Sequence, residues 1–299
     1  MTLCTRVSWN TAALFLLSGG ALWAQSLTGA IDIHVHSDPD STARSIDALD
    51  VAKLAKSRGM RGLVLKNHYA PTAGLAYIIR KVVPGIEVFG GISLDRTVGG
   101  VNPAAVDYMA RMKGGLGRVV WMPTFDSENQ VRFDKANRPF VSVSRNGKLL
   151  PEVNETLAVI AKYKLVLETG HSSPAECLML IRAGKAAGVT NMVVTHAMMP
   201  PIKMNIDQMK QAAAMGAYIE FVYHGLLEHA GIGLSDYVAA IRAVGPEHCI
   251  LSSDLGQAGS PLHPDGLLEF YKELHAQGFS VAEIDRMGKA NPAKILGLE

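Results

Sequence analysis

Short apolar runs alternate along the chain with segments whose apolar residues recur at helical spacing. The runs cover residues 30–36, 62–66, 86–92, 118–122, 164–169, 191–196, 217–222 and 249–253. Between them, helical patterns cover residues such as 45–57, 104–113, 174–187, 204–215, 236–244 and 267–277. Gly59, Gly188 and Gly216 stand between a helical pattern and the next run, where a left-handed cap ends a helix. Near-continuous apolar strands, each followed by a helix, predict parallel strands covered by helices. Eight such units predict a closed (β/α)8 TIM barrel. One polar stretch, residues 123–151, breaks the beat. Its Asn146-Gly147 between two extended patterns predicts a hairpin after strand four, inserted over the barrel mouth without a second domain.

Residues 1–24 are set apart from this pattern. Arg6 precedes an uncharged stretch with an apolar heart at residues 12–17, closing on Ala24 before Gln25. That is the form of a secretory signal peptide, which assigns residues 1–24 to an export signal and 25–299 to the barrel. The mature chain is then periplasmic or secreted, with no stable membrane association after cleavage. Cys4 leaves with the signal, and Cys177 and Cys249 in apolar settings read as buried thiols.

The chain has 299 residues, 48% hydrophobic and 19% charged, which is ample for a core and too apolar for disorder. Lys+Arg 29 against Asp+Glu 27 leaves a net charge of +2 with no basic run, so nucleic acid is not an expected partner. No Gly-x-Ser-x-Gly supports a serine hydrolase, and no Gly-Lys-Ser/Thr turns the paired glycines after strand three into a phosphate loop.

Histidines collect at the predicted strand ends. Strand one ends Asp32-Ile33-His34-Val35-His36, strand two Lys66-Asn67-His68, strand five Glu168-Thr169-Gly170-His171, strand six Thr195-His196, strand seven Tyr223-His224, and strand eight Ser252-Ser253-Asp254. Alternation at period two points His34 and His36 the same way, about 7 Å apart, a spacing from which two imidazoles can grip one ion. Any one of these histidines is commonly a hydrogen-bonded or exposed imidazole. Five strand ends with histidine and a terminal Asp on one rim predict a metal site.

Taken together, Asp32-Ile33-His34-Val35-His36, His171, His196, Asp254 and the tail Asn291-Pro292-Ala293-Lys294 resemble the amidohydrolase superfamily over residues 30–299. Segments such as residues 65–72, 99–103, 120–124 and 169–171 are similar to a branch known only as a domain of unknown function. The resemblance implies a metal-dependent hydrolase acting on a C–N or C–O bond (amide, lactone or ester) of a small molecule. His34 and His36 would hold one divalent ion, and His171 and His196 a second. Asp254 would contact the metal and its water and serve as general base. One or two ions per chain are expected; Zn is the leading candidate, with Mn, Fe and Ni also accommodated by His and Asp.

The chain departs from that pattern at strand four. Binuclear members carry a bridging carboxylated lysine or glutamate there, whereas this strand ends Trp121-Met122-Pro123-Thr124. Lys66 is the available substitute. It can be a carboxylated bridge, an ammonium for an anionic substrate group, or a structural ion-pair partner beside a single-metal site. His68, Glu220 and His224 are read as substrate-facing or supporting groups. Glu168 has the wrong parity to join His171 unless the chain bends at Gly170, and is read as supporting. Arg44 and Arg96 are available to meet a carboxylate, or are solvated.

Two further enzymatic readings keep the metal. The strand-one motif also resembles the polymerase-and-histidinol-phosphatase phosphoesterases, but Asn67-His68 and Asp254-Leu255-Gly256 depart from that family's ligand pairs. A metal-dependent decarboxylase on the same barrel would need one ion only. A secreted binding module with an inactive metal site is the non-enzymatic alternative; a purely structural site is closed and has no use for a base such as Asp254. A homo-oligomer is compatible with the sequence.

Overall fold

A computed structural model describes Met1 and residues 26–227 and 231–299. The expected export signal therefore falls, beyond Met1, outside the described residues. Eight parallel strands form one sheet in chain order: β1 (Ile31–His36), β2 (Gly62–Lys66), β3 (Glu87–Ser93), β4 (Gly117–Trp121), β5 (Val166–Glu168), β6 (Asn191–Val194), β7 (Tyr218–Val222) and β8 (Cys249–Ser252). β1 and β2 are buried along their whole length, as their apolar runs require.

The ring closes between its first and last strands. Val35 bridges Leu255 in parallel sense. The Asp254 amide donates to the His34 carbonyl at 3.0 Å, and the His36 amide donates to the Leu255 carbonyl at 3.0 Å. Asp32 fixes the seam further, its Oδ1 accepting from the amides of Ser253 (3.0 Å) and His34 (3.1 Å). The predicted (β/α)8 TIM barrel is what the chain adopts.

The helices are α1 (Ala48–Ser57), α2 (Ala73–Val82), α3 (Pro103–Ala110), α4 (Glu128–Phe133), α5 (Pro151–Tyr163), α6 (Pro174–Ala186), α7 (Ile206–Ala214), α8 (Leu234–Val244), α9 (His263–Ala276), α10 (Val281–Asp285) and α11 (Asn291–Ile295). Their starts are written in the sequence. The Asp47 carboxylate accepts from the Leu49 amide, and Ser173 with Glu176 forms a reciprocal capping box at α6. Gly59, Gly188 and Gly216 have φ of 77°, 86° and 97°, the left-handed exits their positions predict.

The insertion after β4 is as expected in its hairpin, with Ser144–Arg145 pairing Lys148–Leu149 around Asn146-Gly147. Positive φ at both turn residues, 51° and 73°, fits a two-residue turn. The insertion also contains α4, which pattern reading left inside the loop. At the opposite end of the barrel, Asn291 Nδ2 donates to the carbonyls of Pro246 (2.9 Å) and Cys249 (2.7 Å), docking the tail under β8. Cys177 and Cys249 are buried free thiols, and burial pushes Cys177 up to about 12. Among the described residues, no helix is long and apolar enough to cross a membrane.

Candidate metal centre

The C-terminal strand ends open into a cavity of about 230 Å³. His36, Lys66, His68, His171, His196, His224 and Asp254 all line it, together with Arg44, Phe125, Gln130, Met199, Pro200 and Gln257. His34 and Glu220 are fully buried immediately beneath.

The β1 and β8 side is tightly drawn together. Asp254 Oδ1 lies 3.0 Å from His34 Nε2 and 3.1 Å from His36 Nε2. Ligand atoms of these three residues fall within 4.8 Å of one another. Glu220 Oε1 lies 3.1 Å from His34 Nδ1 and so turns Nε2 toward the mouth. The other Glu220 oxygen accepts from the His196 amide at 2.9 Å, so one carboxylate steers both strand ends. Burial raises the Asp254 carboxyl, but the charge on His34 and the hydrogen bonds of His34 and His36 outweigh it and hold the group well below the usual carboxylate range. Burial likewise disfavours charge on His34, yet Asp254 and Glu220 lift it to about 10.

Lys66 reaches this group from β2. Its Nζ stands 2.8 Å from His34 Nε2 and 5.5 Å from the centre of the Trp121 ring. Burial lowers its pKa, leaving more of the amine neutral than at a free lysine. Trp121, at the end of β4, thus supplies an aromatic wall beside Lys66.

Among the described residues, the β5 and β6 side lacks such a three-ligand group. The rings of His171 and His196 stand 5.0 Å apart between centres. Gln130 Oε1 meets His171 Nδ1 at 2.7 Å, whereas His196 Nδ1 is buried without a hydrogen-bond partner. Burial keeps both imidazoles neutral, His196 being lowered to about 4. His196 and Asp254 both have positive φ, 23° and 50°. Such non-glycine backbone strain concentrates at functional sites.

Glu168 joins His171 on the inside through the bend at Gly170 that such a pairing requires. Gly170 takes φ of +60°, and a Cβ there would stand 2.1 Å from the Met122 carbonyl oxygen, so the chain does bend at this glycine. Glu168 and His171 consequently both reach the interior. Glu168 groups with His34 and Glu220, and burial raises its carboxyl to about 8. Gln130 was not a sequence candidate, because nothing local marks a glutamine in a polar insertion as a partner of His171. His68 stacks on His36 with ring centres 4.8 Å apart. Its Nδ1 is 2.8 Å from Thr124 Oγ1, whose hydroxyl donates to Asp95. The Thr124 oxygen therefore accepts from Nδ1–H, and His68 presents an Nε2 lone pair. His224 sits in the turn Tyr223–Leu226, its amide donating to the Ser253 carbonyl at 3.0 Å.

These donors fit a divalent cation. His34 Nε2 touches a carboxylate and an amine at once; as a proton donor to Asp254 it cannot also accept from an ammonium. A cation takes the lone pairs of His34, His36 and Asp254 together, and imidazole with carboxylate is a usual donor set for a catalytic metal.

A family model described as a family of unknown function, DUF6282, matches residues 29–220. None of the curated proteins matches the chain. Among solved structures, the chain is similar to an amidohydrolase from Pseudomonas aeruginosa, with 10% identity over 90% of this chain and 95% of that one and a TM-score of 0.64. A mutant organophosphorus hydrolase from Deinococcus radiodurans is similar at 13% identity, over 92% and 95%, with a TM-score of 0.62. A phosphotriesterase homology protein from Escherichia coli, complexed with phosphate in its active site, is similar at 17%, over 90% and 99%, with a TM-score of 0.59. At such identities the shared property is the barrel.

Proposed function

The chain belongs to the family of unknown function DUF6282, and from its site we propose that it is a metal-dependent hydrolase of the amidohydrolase type, cleaving a C–N or C–O bond of a small molecule. The observation that carries this reading is the convergence of His34 Nε2, His36 Nε2 and Asp254 Oδ1 within 3.1 Å contacts at a cavity open to solvent. The solved structures named as hydrolases on the same barrel support it.

His34, His36 and Asp254 would hold one ion, with zinc our choice, and His171 and His196 are available to a second. When bound, the ion supplies Lewis acidity toward a substrate oxygen and lowers the pKa of its water to about 7. Asp254, charged across the neutral range, accepts the proton of the attacking water on its carboxylate and returns it to the leaving group. Glu220 orients His34, and Gln130 orients His171. Lys66 would serve either as a carbamate ligand to the ion or as an amine toward substrate. Phe125, its ring centre 4.2 Å from that of His68, narrows the mouth and limits water. We place the mature chain outside the cytoplasm on the strength of the leader-like residues 1–24.

One observation favours a single-ion variant: the tight three-ligand group lies on β1 and β8 and has no counterpart around His171 and His196 among the described residues. Such a site would also serve a decarboxylase. Elemental analysis of the purified protein, with a panel of amides, lactones, esters and phosphoesters, tests the proposal. One or two ions per chain are expected, with turnover lowered roughly 10²- to 10⁴-fold by Asp254→Asn while metal is retained. A metal-free native protein, or full activity in Asp254→Asn, would sink it.

A further inference from the structure

Of the two arginines that the sequence offers to an anion, the fold separates them completely. Arg96 is exposed on the outside of the β3 end, away from the cavity. Arg44 lines the cavity beside His36, Lys66 and Asp254, with its side chain only 6% exposed. It has been drawn there by a buried acid. Arg44 Nε donates to Asp40 Oδ2 at 2.7 Å, Nη2 is ion-paired to the same oxygen at 2.6 Å, and the Asp40 side chain is 0% exposed. Asp40 Oδ1 is itself held by the Ser41 amide at 2.6 Å.

The loop that carries Arg44 is clamped to the loop that carries Asp254. Arg44 forms a backbone bridge with Gln257, the Ser45 amide donates to the Gly256 carbonyl at 2.8 Å, and Gln257 Nε2 donates to the Asp254 carbonyl at 2.9 Å. The guanidinium therefore keeps a fixed place relative to the reacting centre. Asp40 occupies one edge of it. A guanidinium has five N–H donors, so three remain on Nη1 and Nη2, and that second edge is a two-donor fork matched to a carboxylate.

The other basic groups of the cavity do not offer this. Lys66 lies against His34 Nε2 at 2.8 Å and beside the Trp121 ring, and a single amine is not a two-donor fork; the imidazoles of His36, His171 and His196 are the ones offered to the ion. A guanidinium brings a delocalised charge in a planar fork. A cavity of about 230 Å³ lies below the usual range for drug-sized ligands, so the group it reads must be close to the bond that reacts.

We propose that Arg44 is the specificity residue of this site and anchors a carboxylate, so that the substrate is a small carboxylic acid carrying the amide, lactone or ester to be cleaved. This rests on the hydrolase reading for the reaction, but the anchor can be tested without turnover. Glutarate and butyrate are titrated into the full purified chain by calorimetry, with its metal content measured. Each probe offers one carboxylate to a metal, so their ratio isolates the second carboxylate. The native protein should prefer glutarate by about 10- to 100-fold, the range for a charge-assisted pair. Arg44→Gln should bring that ratio close to one, and Arg44→Lys, which keeps a charge for Asp40 and guards against loss of folding, should restore part of it.

A native ratio near one, or a preference that survives both substitutions, overturns the anchor. Tighter Arg44-dependent binding of methyl phosphate than of glutarate overturns the carboxylate assignment. If the preference depends on Arg44 while no bond in the substrate panel is cleaved, the anchor stands and the hydrolase reading falls.

Discussion

The two sides of the barrel mouth are built differently. On the β1 and β8 side, His34, His36 and Asp254 are in contact at 3.0 to 3.1 Å and are backed by the hydrogen bonds that close the sheet. On the β5 and β6 side, the rings of His171 and His196 are as near to each other, 5.0 Å between centres against 5.4 Å for His34 and His36, but the described residues place no third ligand atom with them. The difference teaches that a cation site can be organised by the protein alone on one side and left for a ligand to complete on the other. The first is held by backbone that the fold requires anyway; the second hangs on a glycine bend and a glutamine from an insertion.

The sharpest way to break this comparison is to delete one histidine from each side. His36→Ala should cost the protein its tightest ion, with a loss in metal affinity beyond the roughly 10- to 100-fold typical of removing a supporting group. His196→Ala should remove at most one ion of two. Equal losses by elemental analysis would show that the asymmetry has no energetic meaning.

A smaller effect should come from the bend that brings the open side into register. Gly170→Ala places a Cβ against the Met122 carbonyl at left-handed φ, and should destabilise the fold by about 3 kcal/mol in chemical unfolding. A neutral result would mean that the loop relocates at no cost, and that His171 is not fixed by it.

The smallest effect concerns the wall behind His68. Burial raises Asp95 from 3.8 to about 6. Its proton is bound more tightly in the folded than in the unfolded chain. The stability this gives is fully present below pH 3.8 and is lost as pH rises through about 6. Asp95→Asn should therefore flatten the stability profile between pH 4 and 7 by about 2–3 kcal/mol. An unaltered slope would mean that another group sets it.

Much of this arrangement was legible in the sequence, because the barrel ties function to a countable feature, the residue at each strand end. The eight apolar runs coincide with the eight strands to within two residues at most ends, and the glycine exits fall where predicted. His34, His36, Lys66, His68, His171, His196, His224 and Asp254 all line the cavity or its floor. What could not be read depends on contacts distant along the chain or on backbone leaving ideal geometry. His171 reaches the same interior as Glu168 because Gly170 interrupts the strand alternation between them. Gln130 meets His171 because α4 folds back over the mouth. Arg44 and Arg96 look alike in sequence, and contacts to Asp40 and to the loop after β8 set Arg44 apart.

The seam between β1 and β8 has a consequence for how the protein comes into being. Its tightest ligands are encoded more than two hundred residues apart, so a ribosome must deliver nearly the whole polypeptide before they can meet. A fragment released before the eighth strand would carry the imidazoles but not Asp254, the carboxylate that joins His34 and His36. Maturation of the centre and completion of the cylinder are therefore one event.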